Sequence, residues 1–431
     1  MKTVILYHPK TNHEKNYRFY WLPYSLLTIS AKLIEAGYNV KIIDGNVDNN
    51  FGRVIIDDNV ICVGISAMIG YQIIDAINFV ENVRKQRNIP IIWGGPLASV
   101  LPKIVLESGY ADYILRGSGD ESFYELVRAI ENDSPVEKYV GRIVDNEVIQ
   151  GELLFCDNRE KLPKLNYDSI EVEKYIQNDP YISSRVLNYI SSQGCPFQCG
   201  FCTEVAIYGS KWSGYCAERI CDEVKNLCEK YDLNGIKFYD ANFFVNKARV
   251  LQFSRFLVES NLKIRWAASA HPNNLKKYSD EDWELLYKSG LSRILIGAES
   301  GVQEELDFVK KGIQVEDIEE IAYILNKHNI RGSFTFITGY PTFPEKNVDI
   351  TLEFAKKLSM KYQKHEFKVH IFLPYPGTSL YDLAIKEGFI EPKSLLEWAD
   401  LNYYEKCNPW ISEEYVEKVH KFNSEFCPYV L

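Results

Sequence analysis

Five short apolar runs rich in Val and Ile punctuate the first 140 residues: TVILYHP, NVKIIDG, VICVGIS, IPIIWGG and ADYILRG. Each ends in Gly, Pro or a small polar residue, and their length and β-branched content predict strands. Between them apolar residues recur at helical spacing, as at Leu26, Ile29, Leu33 and Ile34, and at Ile73, Ile77, Val80 and Val83. Such alternation predicts a doubly wound, Rossmann-like parallel α/β sheet over residues 1–140, with ligand loops at the carboxyl ends of its strands. Residues 141–184 read as a connection. GRIVDNEVIQGE alternates around a central Asp-Asn and predicts a hairpin, and the segment after it lacks a sustained period and reads as linker.

The alternation resumes over 185–381. RVLNYISS, GIKFYDA, KIRWAASA, SRILIGAES, GSFTFITGY and FKVHIFLPY predict six strands, and helical stripes such as Ile220, Val224, Leu227 and Tyr231, or Ile318, Ile321, Ala322 and Leu325, separate most of them. Six repeats predict a partial (β/α)6 barrel, with chemistry at the carboxyl ends of the strands. Residues 382–431 lose this regularity and read as a short helical cap.

Composition narrows the setting. With 431 residues, 46% hydrophobic and 25% charged, the chain is expected to fold into two domains. It has no apolar run of about 18 residues, so no membrane span is expected. The opening MKTVILYHPK reads as a strand rather than a secretory leader. A cytoplasmic location is expected. The net charge of −10 disfavours a nucleic-acid polyanion as partner and leaves a small molecule or a peptide as substrate.

Cys195-Pro-Phe-Gln-Cys199-Gly-Phe-Cys202 carries the chemistry. Three thiolates can ligate three irons of a 4Fe–4S cluster and leave the fourth iron open. A zinc site would want a fourth Cys or His at finger-like spacing, and Cys216 and Cys221 follow at the wrong offset. Of the other cysteines, Cys62 lies in a strand pattern, Cys221 and Cys228 border a helix stripe, and Cys156 is isolated. Cys407 and Cys427 lack the spacing of a second cluster and read as structural.

With Gly194 before it and Phe201 inside it, the triplet resembles the signature of the radical S-adenosylmethionine enzymes. The resemblance implies that S-adenosylmethionine chelates the open iron and that an electron from the cluster releases an adenosyl radical. It places Phe201 on the adenine. FYDANFF resembles the family segment near the methionine amino group, through Asp240 and Asn242. LIGAESG resembles the ribose and amino-acid contact strand, through Glu299 and Ser300.

TGYPTFPEK and LPYPGTSLYDLAIKEG are similar to segments of the subgroup that joins a cobalamin domain to a radical domain. In the first domain, VGISAMIGYQ and IPIIWGGPLAS are similar to cobalamin-binding loops. This implies cofactor contacts at Ser66, Met68, Gly94 and Gly95. Gly117 falls in LRGSGDESFYEL, which resembles a GEGE segment except at Ser118 and Asp120. The DxHxxG of many corrinoid proteins is absent. His8 and His13 lie in the corresponding loop without the flanking Asp and Gly, so cobalamin without a histidine ligand is expected, and His8 reads as a turn or surface residue.

Membership of the cobalamin-dependent radical S-adenosylmethionine family implies a methyltransferase. In that family a substrate hydrogen is removed and methylcobalamin donates methyl to the resulting radical. The alternative is a non-methylating ring closure, ring contraction or rearrangement with the same cofactors. A corrinoid carrier with a structural cluster is a third reading. An external electron donor such as flavodoxin or ferredoxin is implied, and no catalytic acid or base can be named. From Tyr381 onward the chain has 10 acidic and 5 basic residues, which disfavours the RNA-binding end domain of enzymes that methylthiolate transfer RNA.

Overall fold

The computed structural model describes residues 1–11, 20–48, 54–260, 262–401 and 408–426; His13, Cys407 and Cys427 lie outside them. The chain forms two compact units. One comprises Met1–Tyr175, Ala206–Gly209 and Glu391–Glu405, and the other Ile176–Val205, Ser210–Ile390 and Lys406–Leu431.

All five apolar runs of the first unit are strands: β1 (Thr3–His8), β2 (Asn39–Asp44), β3 (Val60–Ser66), β4 (Ile91–Gly94) and β5 (Tyr113–Ile114). They pair in parallel in the order β2-β1-β3-β4-β5. The main helices are α1 (Tyr24–Glu35), α2 (Gln72–Gln86) and α3 (Ser122–Glu131). Successive strand side chains point to opposite faces, and the helices sort accordingly. Val4 and Leu6 join Leu26 and Leu33 of α1 and Phe123 and Leu126 of α3 in one core. Tyr7, one residue on, stacks on Phe79 of α2 with ring centroids 3.9 Å apart. The sheet is covered on both faces, as the alternation predicts.

The expected hairpin pairs Arg142–Val144 with Glu147–Ile149. Asp145 and Asn146 occupy its turn at φ 50° and 66°, the left-handed pair that a two-residue type I′ turn requires. The stretch read as linker carries 3₁₀ turns at Arg159–Lys161, Tyr167–Ser169 and Val172–Tyr175, all within the first unit.

The second unit begins with an edge strand, β6 (Gln177–Asp179), antiparallel to β7 (Ser183–Tyr189). β8 (Gly235–Phe238), β9 (Arg265–Ala270), β10 (Leu291–Glu299), β11 (Arg331–Thr338) and β12 (Glu366–Ile371) then add in parallel, in chain order. Helices α4 (Ala217–Tyr231), α5 (Lys247–Glu259), α6 (Asp280–Lys288), α7 (Val315–Lys327) and α8 (Lys346–Lys361) fall between them. The strands form an open, partial barrel of six parallel strands. α6 starts at a capping box in which Ser279 and Asp282 exchange side-chain-to-backbone bonds. Cys221 and Cys228 are buried on α4, while Cys216 caps that helix, its sulfur accepting from Arg219 N at 3.5 Å. No helix among the described residues is long and apolar enough to cross a membrane.

The open edge at β12 is covered by α9 (Glu413–Phe426). Asn423 imitates a neighbouring strand there. Its Oδ1 accepts from Val369 N at 3.0 Å and its Nδ2 donates to Val369 O at 2.7 Å. Unpaired edge groups invite association with other chains, and this one amide satisfies both backbone groups of Val369 on that edge. Asn423→Ala is expected to cost about 1–3 kcal/mol, the usual penalty for stranding buried partners. It should lower the urea midpoint of unfolding and raise the tendency to aggregate in light scattering.

Candidate functional site

The cysteine loop is suspended from β7. After Tyr189 the chain makes a short ladder, Ser192–Gly194 with Trp212–Gly214, and then enters Cys195. Asp240 buttresses this entry: its carboxylate accepts from Ser191 N at 3.2 Å, from Ser191 Oγ at 2.8 Å and from Ser192 Oγ. Gly200 is wedged at the far side. Its N–H donates to Val309 O at 2.8 Å, and a Cβ there would meet Ser379 Oγ at 2.8 Å. Only glycine lets the loop pass so close to its neighbours.

Cys199 is buried, and Cys195 and Cys202 are partly buried. Burial pushes the Cys199 thiol up to about 11 and Cys202 to about 12, and the charge of each neighbouring cysteine adds to the effect on Cys202. The three sulfurs therefore lie within electrostatic reach of one another. Among the described residues no trio of His, Cys, Asp and Glu converges on a single metal ion. Loading an iron–sulfur cluster releases the thiol protons.

The strand ends around this loop are polar and buried. Asn242 follows β8, where Phe243 and Phe244 anchor the turn by packing around Trp266. Its Nδ2 donates to Asn274 Oδ1 at 2.9 Å and points to Cys195 Sγ at 3.9 Å. Glu299 closes β10 at φ 64°, a left-handed conformation costly for a side chain of this size. Its carboxylate is paired at 2.8 Å with Lys311, and both side chains are buried. Ser300 Oγ bonds Glu305 Oε2 at 2.5 Å and accepts from Val302 N at 3.0 Å. Phe201 is half-buried in the loop.

Of the residues expected to contact S-adenosylmethionine, Asn242 and Glu299 thus gather at the cysteines. Asp240 and Ser300 have their oxygens engaged by the protein, and the Glu299 carboxylate is engaged by Lys311.

Several residues at this site escaped sequence reasoning. Thr338 ends β11 and Tyr340 follows it; both hydroxyls are buried without a hydrogen-bond partner. A buried hydroxyl without a partner calls for a water or a ligand to complete its bonding. The two hydroxyls supply the donors and acceptors that a ribose and an amino acid need. Tyr340 lies in TGYPTFPEK, a segment already singled out, but its letter alone does not show a hydroxyl left unpaired. Glu204, beside the last cysteine, is pushed up to about 7 by burial. His271 was not singled out either; it stacks on Phe197 of the cysteine loop at 3.5 Å between ring centroids.

In the first unit, strand order reverses between β1 and β3, the position where open parallel sheets bind ligands. Ser66 ends β3 and accepts from Ser25 Oγ at 3.0 Å. Met68 is 52% exposed on the loop beyond it. Gln72 ties that loop to the one after β1, accepting from Met68 N at 2.7 Å and donating to Pro9 O at 3.0 Å. Gly95 has φ +82°, and a Cβ there would meet Ser66 Oγ at 2.8 Å.

A Cβ at Gly94 would find nothing nearer than Leu115 O at 3.7 Å. A side chain there would make ordinary van der Waals contact with backbone. Gly117 answers to a different neighbour: its N–H donates to Ser99 Oγ at 2.9 Å, and a Cβ would strike Leu154. Ser118 and Asp120 are turned inward and buried. His8 is partly buried rather than a surface residue; its Nδ1 lies 3.2 Å from Asp44 Oδ1.

Residues 189–355 match the radical SAM superfamily and residues 15–127 the B12 binding domain. The chain is 26% identical to an uncharacterized methyltransferase, PH0819, of Pyrococcus horikoshii, over 92% of this chain and 85% of that protein. It is 22% identical to an anaerobic magnesium-protoporphyrin IX monomethyl ester cyclase of Synechocystis, over 86% of this chain and 74% of that protein. Among solved structures it resembles the radical S-adenosylmethionine methyltransferase TsrM of Kitasatospora setae, with cobalamin and a 4Fe–4S cluster bound. That similarity has a TM-score of 0.71 and 15% identity, covering 91% of this chain and 80% of that one.

His271 yields a prediction. Its Nδ1 accepts from Asn273 N at 3.2 Å, which leaves Nε2 to donate to Lys311 O at 3.1 Å, so the ring is neutral. Burial, aided by the Lys311 charge, pushes its pKa down to about 2, against about 6.5 in an unfolded chain. As pH falls from about 6.5 toward 2 the unfolded chain takes a proton that the folded ring refuses, so this residue subtracts stability progressively. Nitrogen-15 NMR of histidine-labelled protein at pH 5 should show His271 neutral, with its proton on Nε2.

Proposed function

This chain is a cobalamin-binding radical S-adenosylmethionine enzyme, and we propose that it is a methyltransferase acting on an unactivated carbon or a phosphinate-like centre of a small molecule or peptide. The observation that carries the reading is the presence, in one chain, of a three-cysteine loop at the mouth of a parallel partial barrel and a parallel sheet whose strand order reverses beside Ser66. The methyltransferase names of PH0819 and TsrM support it.

When bound, the cluster, S-adenosylmethionine and cobalamin together supply a hydrogen-abstracting radical and a transferable methyl group. The protein's part is to hold and orient. Cys195, Cys199 and Cys202 hold the cluster, and Asn242 steadies the first of them. We assign Glu299, Thr338 and Tyr340 to the polar groups of S-adenosylmethionine, with Phe201 near its adenine. Ser66, Met68, Gly94 and Gly95 are assigned to cobalamin, and Gly117 to the backbone that supports them.

The proposed division of labour follows a cobalamin domain at 1–140, a linker at 141–184, a barrel at 185–381 and a cap at 382–431. An external donor of flavodoxin or ferredoxin type is assigned to reduction, and the working location is taken as cytoplasmic. No nucleic-acid partner is proposed. The likeness to the monomethyl ester cyclase favours a second reading, ring closure without methyl transfer.

Anaerobically reconstituted protein with reductant, cobalamin, methyl-labelled S-adenosylmethionine and candidate substrates distinguishes the readings. Methylation predicts both S-adenosylhomocysteine and 5′-deoxyadenosine, with label in the product. Deoxyadenosine alone would support ring closure, and a chain that binds no cobalt would overturn both. Cys199→Ala should abolish deoxyadenosine formation and lose most of the bound iron, measured by metal analysis.

A further inference from the structure

We propose that Lys311 sets the reduction potential of the cluster held by Cys195, Cys199 and Cys202, an inference that rests on the cluster assignment above. Lys311 is a buried cation, with its ammonium 2.8 Å from Glu299 Oε1. Burying a charge is costly even when it is paired, and replacing such a pair by apolar residues is often neutral or stabilising. Stability therefore gives little reason to keep it.

The backbone is bent to place it. Lys310 and Gly312 on either side have φ 56° and 70°, and Glu299 has φ 64°. A Cβ on Gly297 would meet Lys311 Nζ at 2.8 Å, so a side chain there would displace the pair. The same turn is tied to the cysteine loop at separate points. Val309 O accepts from Gly200 N at 2.8 Å, and Lys311 O accepts from His271, whose ring stacks on Phe197.

The turn that carries Lys311 thus packs directly on the backbone of the cysteine loop. Burial works against the charge of Lys311, but the Glu299 carboxylate opposes that, and the pKa of Lys311 lies above the usual lysine value. Reduction by a one-electron donor adds one negative charge to the cluster and moves no proton to Lys311, which stays an ammonium throughout. A fixed cation beside the cluster favours the reduced state, because net charge and surroundings are what tune such potentials.

The test is an EPR-monitored redox titration of the anaerobically reconstituted full chain, using dithionite as the donor, with iron analysis of each variant. Lys311→Met should shift the reduction equilibrium at least tenfold toward the oxidised cluster, a drop of about 59 mV per tenfold for a one-electron couple. Glu299→Gln, which removes the negative charge of the pair, should move the midpoint the opposite way. The K311M/E299Q double variant should return toward wild type, and Lys311→Arg should stay close to it.

Should Lys311→Met fail to load, Glu299→Gln and the double variant decide. A loaded wild type whose variants all share its midpoint overturns the inference alone. A wild type that takes up no cluster overturns the cluster assignment and this inference with it.

Discussion

Parallel pairing is the constraint on which both units depend. A parallel strand cannot be joined to its neighbour by a tight turn, so the chain returns through a helix and each strand begins again at the same edge. All carboxyl ends therefore line up on one side of each sheet, and every loop that leaves them is available for chemistry. In the first unit this edge gathers Ser66, Gly94 and Gly95; in the second it gathers the cysteine loop, Asn242, Glu299 and Thr338. The side chains that make the strands stable, such as Val4, Leu6 and Trp266, lie inside the sheets and leave those ends free to be polar.

Period and punctuation made the framework legible. The five runs of the first unit and the six of the second are strands because Val, Ile and aromatic residues fill them, and Gly, Pro or small residues end them where the chain must turn. The hairpin at Asp145-Asn146 was legible for a local reason, since its turn chemistry needs nothing from the rest of the chain. The cysteine spacing is local in the same sense.

The polar layer was less legible because its meaning lies in partners far along the chain. Asp240 sits in a segment that resembles a cofactor-contact motif, yet its carboxylate is engaged by Ser191 and Ser192, about fifty residues earlier. Gly117 looked like a ligand-loop glycine, whereas Leu154 is what excludes a side chain there. Lys311 stands in an ordinary Lys-Lys-Gly run, and nothing in that run shows that the second lysine is buried against Glu299 while the first is not. Tyr340 is one of 29 tyrosines, and only its surroundings reveal that its hydroxyl lacks a partner.

Charge compensation links these observations. The site concentrates three thiols, Glu204 and Glu299 in a region of low dielectric, where ionising them together without compensation would be costly. Each is answered differently. Glu204 lies near neutrality because burial has raised its pKa to about 7, Glu299 is held against Lys311, and the thiols rest protonated until iron displaces the protons. Ionising the thiols while Glu299 stays charged leaves one buried cation facing an excess of negative charge. The left-handed backbone at Glu299, Lys310 and Gly312 is the strain the fold accepts to hold that cation there.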